Sequence, residues 1–196
     1  MKIKSIIKFV TLIVALFFIF IFSSCGTGLR VSKVDFKKIN TSFSGTFINN
    51  SFKTKTRTAI PGLSTDISNE SKTTIASLLK LHDVLKSQTN PITFKINADK
   101  NLVVTYIDSL HIQKTKVFKG KLRKRGYYEY FHYKERVEIP PLFPIIYGEA
   151  HISRLRFGFS NNNLVIDDCY ISNGNIFIFA AGNSHREQYY FKPIDQ

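Results

Sequence analysis

Tryptophan is absent from the chain, methionine occurs only as Met1, and cysteine occurs only at Cys25 and Cys169. Local catalytic signatures are missing too. There is no Cys-x-x-Cys, no Gly-x-Ser-x-Gly and no phosphate loop. The histidines, His82, His111, His132, His151 and His185, show neither His-x-x-x-His nor His-x-His spacing. These absences remove the short motifs of thiol redox, serine hydrolase, nucleotide and zinc chemistry. No cofactor is expected. Acids are scarce as well: 14 Asp and Glu stand against 28 Lys and Arg, and none precedes Asp35. The one long apolar run, Phe9 to Phe22, holds fourteen residues with only Thr11 polar. As a helix it would reach about 21 Å, short of a ~30 Å hydrocarbon core, which argues against a permanent span.

What surrounds that run gives it a meaning. Lys2, Lys4 and Lys8 precede it, and Ser23-Ser24-Cys25-Gly26-Thr27-Gly28 follows it. A basic start, a short apolar stretch and a small-residue end are the three parts of a secretory signal. Phe22-Ser23-Ser24-Cys25 resembles the lipobox of bacterial lipoproteins, with Phe22 where that family usually has leucine. The resemblance implies cleavage after residue 24 and acylation of Cys25, on the thiol and on the new amino group. Two or three acyl chains anchor firmly, at ~0.8 kcal/mol per buried methylene. Gly26, in place of the aspartate of inner-membrane lipoproteins, points to the outer membrane with the domain facing the periplasm.

Three segments follow: a signal peptide at 1–24, a lipidated stalk at 25–40, and a β-rich domain at 41–196. Removing the signal takes away three lysines and leaves 25 Lys and Arg against 14 acids, a net charge of +11. In the cytosol that charge would suggest nucleic acid. In the envelope no nucleic acid is expected, and lipid head groups or acidic polymers are the available partners. With Cys25 acylated, Cys169 has no partner for a bridge and is expected to be a buried, inert thiol.

Val31, Val34 and Phe36 suggest an edge strand in the stalk, and Phe43, Gly45 and Phe47 alternate as a strand ending at Asn49-Asn50. Residues 51–69, rich in Lys, Thr, Ser, Pro and Gly, read as a long loop. Residues 71–86 read as the single helix: Ile75, Leu78, Leu79, His82 and Leu85 fall on one stripe. His82, beside Asp83, is expected to pack at the edge of that stripe. Strands are expected at 92–96, 102–107, 112–122, 127–137, 150–159, 164–171, 176–180 and 188–192, with turn residues between them. The fold class is mainly β: an antiparallel barrel or sandwich of about nine strands with one packed α-helix. Ser44-Gly45-Thr46-Phe47, followed by a meander, faintly resembles lipocalin-type barrels, without the tryptophan those barrels place after the glycine. With its lipobox and its Lys- and Asn-rich β domain, the chain resembles the small lipoproteins of Bacteroidetes-type bacteria.

Three surfaces stand out as candidate sites. Lys114, Lys116, Lys119, Lys121, Arg123, Lys124 and Arg125 carry seven positive charges in twelve residues. They suit an anionic surface, or else an edge protected by lysines. Tyr127, Tyr128, Tyr130, Phe131 and Tyr133 can line a cavity for an apolar ligand. The segment 139–148, with Pro140, Pro141 and Pro144 around Leu142 and Phe143, is either a plug or a partner contact. Asp167 and Asp168 are neighbours on a strand, point to opposite faces and cannot share a proton. Asp108-Ser109-Leu110 resembles an O-glycan acceptor motif of some Bacteroidetes.

The leading function is an envelope lipoprotein that binds an apolar ligand, an anionic surface or a partner protein without catalysis. A hydrolase or transferase acting on envelope polymers is the alternative. It requires His132 or His151 to meet Glu129 or Glu149 in space. An immunity or exclusion lipoprotein is the third reading.

Overall fold

Strands β5 (Pro91–Ile96) and β6 (Leu102–Ile107) follow the simplest rule of the sequence. Ile92, Phe94 and Ile96, then Leu102, Val104 and Tyr106, are buried at every second position. Period two puts those side chains on one face, and the face is the core. The computed structural model describes residues 36–58, 66–69, 73–85, 90–139, 147–176 and 179–194. Residues 1–24, read as a signal, Cys25, and the proline segment with Leu142 and Phe143 lie outside the described residues.

Among the described residues the chain is mainly β, in two antiparallel sheets. The small sheet runs β2-β5-β6-β7, where β2 is Ser44–Ile48 and β7 is Gln113–Phe118. The large sheet runs β4-β3-β12-β11-β10-β9-β8. Its strands are β3 (Lys53–Thr58), β4 (Asp66–Asn69), β8 (Lys121–Leu122), β9 (Tyr128–Ile139), β10 (Tyr147–Ser160), β11 (Asn163–Ile176) and β12 (Phe179–Phe191). A short β1 (Phe36–Lys37), the edge strand expected near Phe36, pairs with the end of β10. The arrangement is sandwich-like, and no closed barrel is found among the described residues. Among the described residues there are twelve strands, β1 and β8 of two residues each, where about nine were expected.

The sheets meet through aromatic rings. Phe94 of the small sheet lies 5.9 Å from Phe157 of β10, centroid to centroid, and Tyr128 lies 6.3 Å from Phe157. Each large side chain buried this way contributes about 1.5–3 kcal/mol. The buried hydroxyl of Tyr128 donates to Phe118 O at 2.7 Å and accepts from Leu102 N–H at 3.0 Å. Its polar tip is therefore satisfied inside the core.

The expected helix at 71–86 is corrected to one turn, α1 (Ile75–Leu78). Thr74 caps its start, and Thr74 and Ser77 form a reciprocal capping box. Lys80 then takes a left-handed backbone, φ 52°. Leu81 N–H donates to Ala76 O and Lys80 N–H to Ser77 O, which closes the helix end as a Schellman motif. Ile75, Leu78, Leu79 and Leu81 are buried as the stripe requires. The chain has turned away by His82, which is exposed, not packed.

Two further expectations fail for one reason, the pull of neighbouring strands. Ser172-Asn173-Gly174-Asn175 and Gly182-Asn183-Ser184 read as turns, yet they continue β11 and β12 in unbroken register. Gly182 allows it: a Cβ there would collide with Asn173 and the Ser172 carbonyl. The expected loop at 51–69 likewise contains the β3–β4 hairpin, in which Thr54 is buried and β3 pairs with β12. Threonine supplied the inward face that an apolar residue usually supplies. At the tip between β10 and β11, Asn161 and Asn162 both have positive φ, 49° and 65°. That is the two-residue turn asparagine favours.

Candidate functional site

Where β1 meets the end of β10, the surface of the sandwich carries an open pocket of about 350 Å³. Phe43, Phe47, Phe159 and Ile194 give it an apolar wall, and Lys37 and Lys38 stand among its lining residues, both exposed. Its frame is backbone pairing. Lys37 is the register partner of Phe159, Ile48 N–H donates to Lys192 O, and Ile194 N–H donates to Thr46 O. The rings of Phe43 and Phe159 lie 4.8 Å apart and those of Phe47 and Phe159 5.9 Å. Gly45 sits under the Phe47 and Phe43 rings: a Cβ would come to 3.0 Å of Phe47 and 3.4 Å of Phe43. Lys37 Nζ donates to Asn162 Oδ1 at 2.5 Å, which ties the rim to the β10–β11 turn. Gly126, with φ +85°, clears the stem of Lys38, whose Cα would lie 2.9 Å from any added Cβ. An apolar wall beside two ammonium groups suits an amphipathic anion.

The outer face of the large sheet, turned away from the small sheet, carries a buried layer of charge. Glu129 on β9, Arg154 and Arg156 on β10, Asp167 on β11 and Gln188 on β12 are each less than a tenth exposed. Arg156 Nε donates to Glu129 Oε1 at 2.8 Å, and Arg123 Nε donates to Glu129 Oε2 at 2.6 Å. Arg186 on β12 grips Asp167 with two bonds, at 2.7 and 2.9 Å. Burial alone would raise the Glu129 carboxyl, but the Arg156 and Arg123 guanidiniums outweigh it and hold it below its ordinary value. Tyr127 lies against Arg156, 5.2 Å from guanidinium to ring centroid.

On the inner face, toward one end of the long strands, polar side chains meet in two groups. His151 is the register partner of Ser172, and Glu149 lies two residues before His151 on the same face. The Ser172 hydroxyl donates to His151 Nδ1 at 3.1 Å, and His151 Nε2–H donates to Glu149 Oε1 at 2.6 Å. Nearer the core, Asp168 faces Glu187 across β11 and β12. Burial raises the Asp168 carboxyl above its ordinary value. Burial would also raise Glu187, but bonds from Tyr189, His185 and Thr56 bring it below.

The seven basic residues at 114–125 do not form one hairpin. They span the exposed edges of both sheets, β7 and β8. Lys114 pairs with Asp108 at 2.9 Å and Arg123 with Glu129, while Lys116 lies over the Phe118 ring at 5.3 Å. Lys119, Lys121, Lys124 and Arg125 are exposed. Asp108 is buried and accepts from Leu110 and Ile112 N–H, whereas Ser109 and Leu110 are exposed. The aromatics of β9 divide between the faces: Tyr130 packs on Phe118, and Phe131 lies under Lys134. None of them lines the cavity described above. His132, at a bulge in β9, donates to Leu78 O at 2.9 Å and does not meet Glu129. Burial lowers its basicity. Cys169 is buried and free. No cluster of metal-ligating side chains occurs among the described residues, and no helix there is long and apolar enough to cross a membrane.

The arginine layer escapes sequence reading because its members lie on separate strands and meet only through register. Comparison with family models, with curated proteins and with solved structures finds no match to this chain.

Proposed function

We propose that this protein is a lipid-anchored envelope module that binds an amphipathic anion, a single acyl chain bearing a carboxylate or phosphate. The observation that supports this reading is the open pocket of about 350 Å³ with phenylalanine walls beside Lys37 and Lys38. Its volume falls in the range of about 300–1,000 Å³ used for small ligands. The Cys25 anchor, the outer-membrane location and the periplasm-facing domain belong to the same proposal. If Cys25 is acylated, the eleven links from Cys25 to Phe36 reach at most about 40 Å, so the cavity mouth stays near a lipid source.

Titration with fluorescent amphiphiles of equal chain length and different head charge tests it. The anionic probe should bind most tightly, and Lys37→Glu with Lys38→Glu should abolish that preference. Equal binding of anionic, neutral and cationic probes would count against the proposal.

A hydrolase acting on envelope esters is the second reading, favoured by the Ser172–His151–Glu149 relay. His151 Nδ1 can take the Ser172 proton while Glu149 holds the opposite ring nitrogen. A serine-directed phosphonate should label the wild type and spare Ser172→Ala. Absence of labelling in the wild type removes this reading.

A further inference from the structure

Arg154, Cys169 and Arg186 stand side by side as register partners on β10, β11 and β12. Arg186 closes on Asp167 with two hydrogen bonds. Arg154 does not close in this way. Its Nη1 is 3.8 Å from Glu129 Oε1, too long for a hydrogen bond, and its Nη2 lies 3.7 Å from the Cys169 sulfur. Its Nε has no hydrogen-bond partner, although the residue is only 9% exposed. The Glu129 carboxylate already accepts from Arg123 and Arg156.

A guanidinium cannot shed its proton to escape this position. A buried charge without a matched acceptor is costly, and an orphaned buried donor calls for a missing partner. Any acceptor would satisfy the Nε–H, but the guanidinium charge, with its nearest carboxylate at 3.8 Å and shared with two other arginines, favours an anion. It must also be an oxyanion, because the planar fork of Nε and Nη suits a carboxylate or a phosphate. The layer reaches solvent at Arg123, whose side chain is 42% exposed.

We infer that Arg154 and Cys169 frame a second ligand site, for the oxyanion of a carboxylate or phosphate group, on the outer face of the large sheet. The site is independent of the cavity reading, since Phe159 lines the cavity from the opposite face of β10. Arg154 supplies the fork, and the Cys169 sulfur, which accepts from Arg154 Nη2, lies beside it. With Glu129 and Asp167 set against Arg123, Arg154, Arg156 and Arg186, the layer remains net positive, which favours an anion there.

The test is thermal unfolding of the full chain in a non-ionic, phosphate-free detergent. Inorganic phosphate is titrated against chloride at constant ionic strength, and short-chain phosphatidate micelles form a second arm. A saturable rise in Tm is expected for the wild type, because a ligand that binds only the folded state stabilises it. Saturation by inorganic phosphate assigns a free anion, and saturation by phosphatidate alone assigns a lipid head group. Arg154→Met should lose the saturable rise, while Lys119→Gln should keep it. Arg154→Lys guards against a folding failure: it retains the charge, loses the fork and should weaken the response. The inference is overturned if the wild type responds to neither probe, or if both Arg154 variants respond as the wild type does.

Discussion

Glu129 and Arg156 are register partners on β9 and β10, and they meet at 2.8 Å with both side chains almost wholly buried. The pair sits behind the aromatic core, on the face that a two-layer sandwich usually leaves wet. Removing one member of a buried pair leaves an uncompensated charge, at about 3–5 kcal/mol. Glu129→Gln should therefore lower unfolding stability at pH 7 by about that amount, read from urea denaturation. An effect within about 0.5 kcal/mol would mean the layer is solvated.

Asp168 gives the opposite sign. Its folded carboxyl is raised by burial, so ionisation is harder in the folded state than in the unfolded one. Above the raised value the charge costs stability. As pH falls through that value toward the ordinary 3.8, the cost disappears. Asp168→Asn should raise the urea midpoint at pH 7, and the gain over wild type should shrink as the solution is acidified. A gain that stays constant with pH would separate the effect from ionisation.

Lys80 distinguishes the one-turn helix from the sixteen-residue helix that the apolar stripe suggests. In the left-handed backbone at φ 52°, a residue with Cβ costs about 1–2 kcal/mol more than glycine. Lys80→Gly should stabilise the protein by about 1 kcal/mol. If the chain ran on as a helix, the same change would destabilise it by a similar amount.

Among the five lysines of the basic stretch, Lys114 is set apart by its ion pair with the buried Asp108. The Asp108 carboxyl is held below its ordinary value of 3.8 by Ile112 N–H, and then by the bond from Lys114. A depressed carboxyl stabilises the fold above its unfolded value and loses that effect as pH falls through the folded one. Lys114→Gln should lower the urea midpoint at pH 7 and soften the loss of stability below pH 3.8. Lys119→Gln and Lys121→Gln should leave both unchanged. Equal losses from all three would make the stretch a collective charge effect.

Much of the β fold was legible because inward residues alternate with outward ones, as in Ile92-Thr93-Phe94 and Leu102-Val103-Val104. Strand ends were less legible. Ser172 to Asn175 have turn propensity, and only the two flanking strands hold them extended. Lys80 hides the end of α1, since lysine is a good helix former and gives no stop signal. The candidate sites depend still more on register. Arg154-Leu155-Arg156 reads locally as a solvated outer face, and nothing in those three residues says the outer face is buried. His151 with Glu149 was within reach of sequence reasoning through their spacing of two. Ser172 was not, because β11 brings it there from 21 residues away.

The most direct test of the account is mass spectrometry of the protein extracted from its own membranes, denatured and then native. The account predicts a denatured mass of residues 25–196 plus two or three acyl chains. It also predicts a native mass that retains an anionic amphiphile, which is lost in the Lys37→Glu, Lys38→Glu variant. An unmodified Cys25, or a native mass with no adduct in wild type, would contradict it.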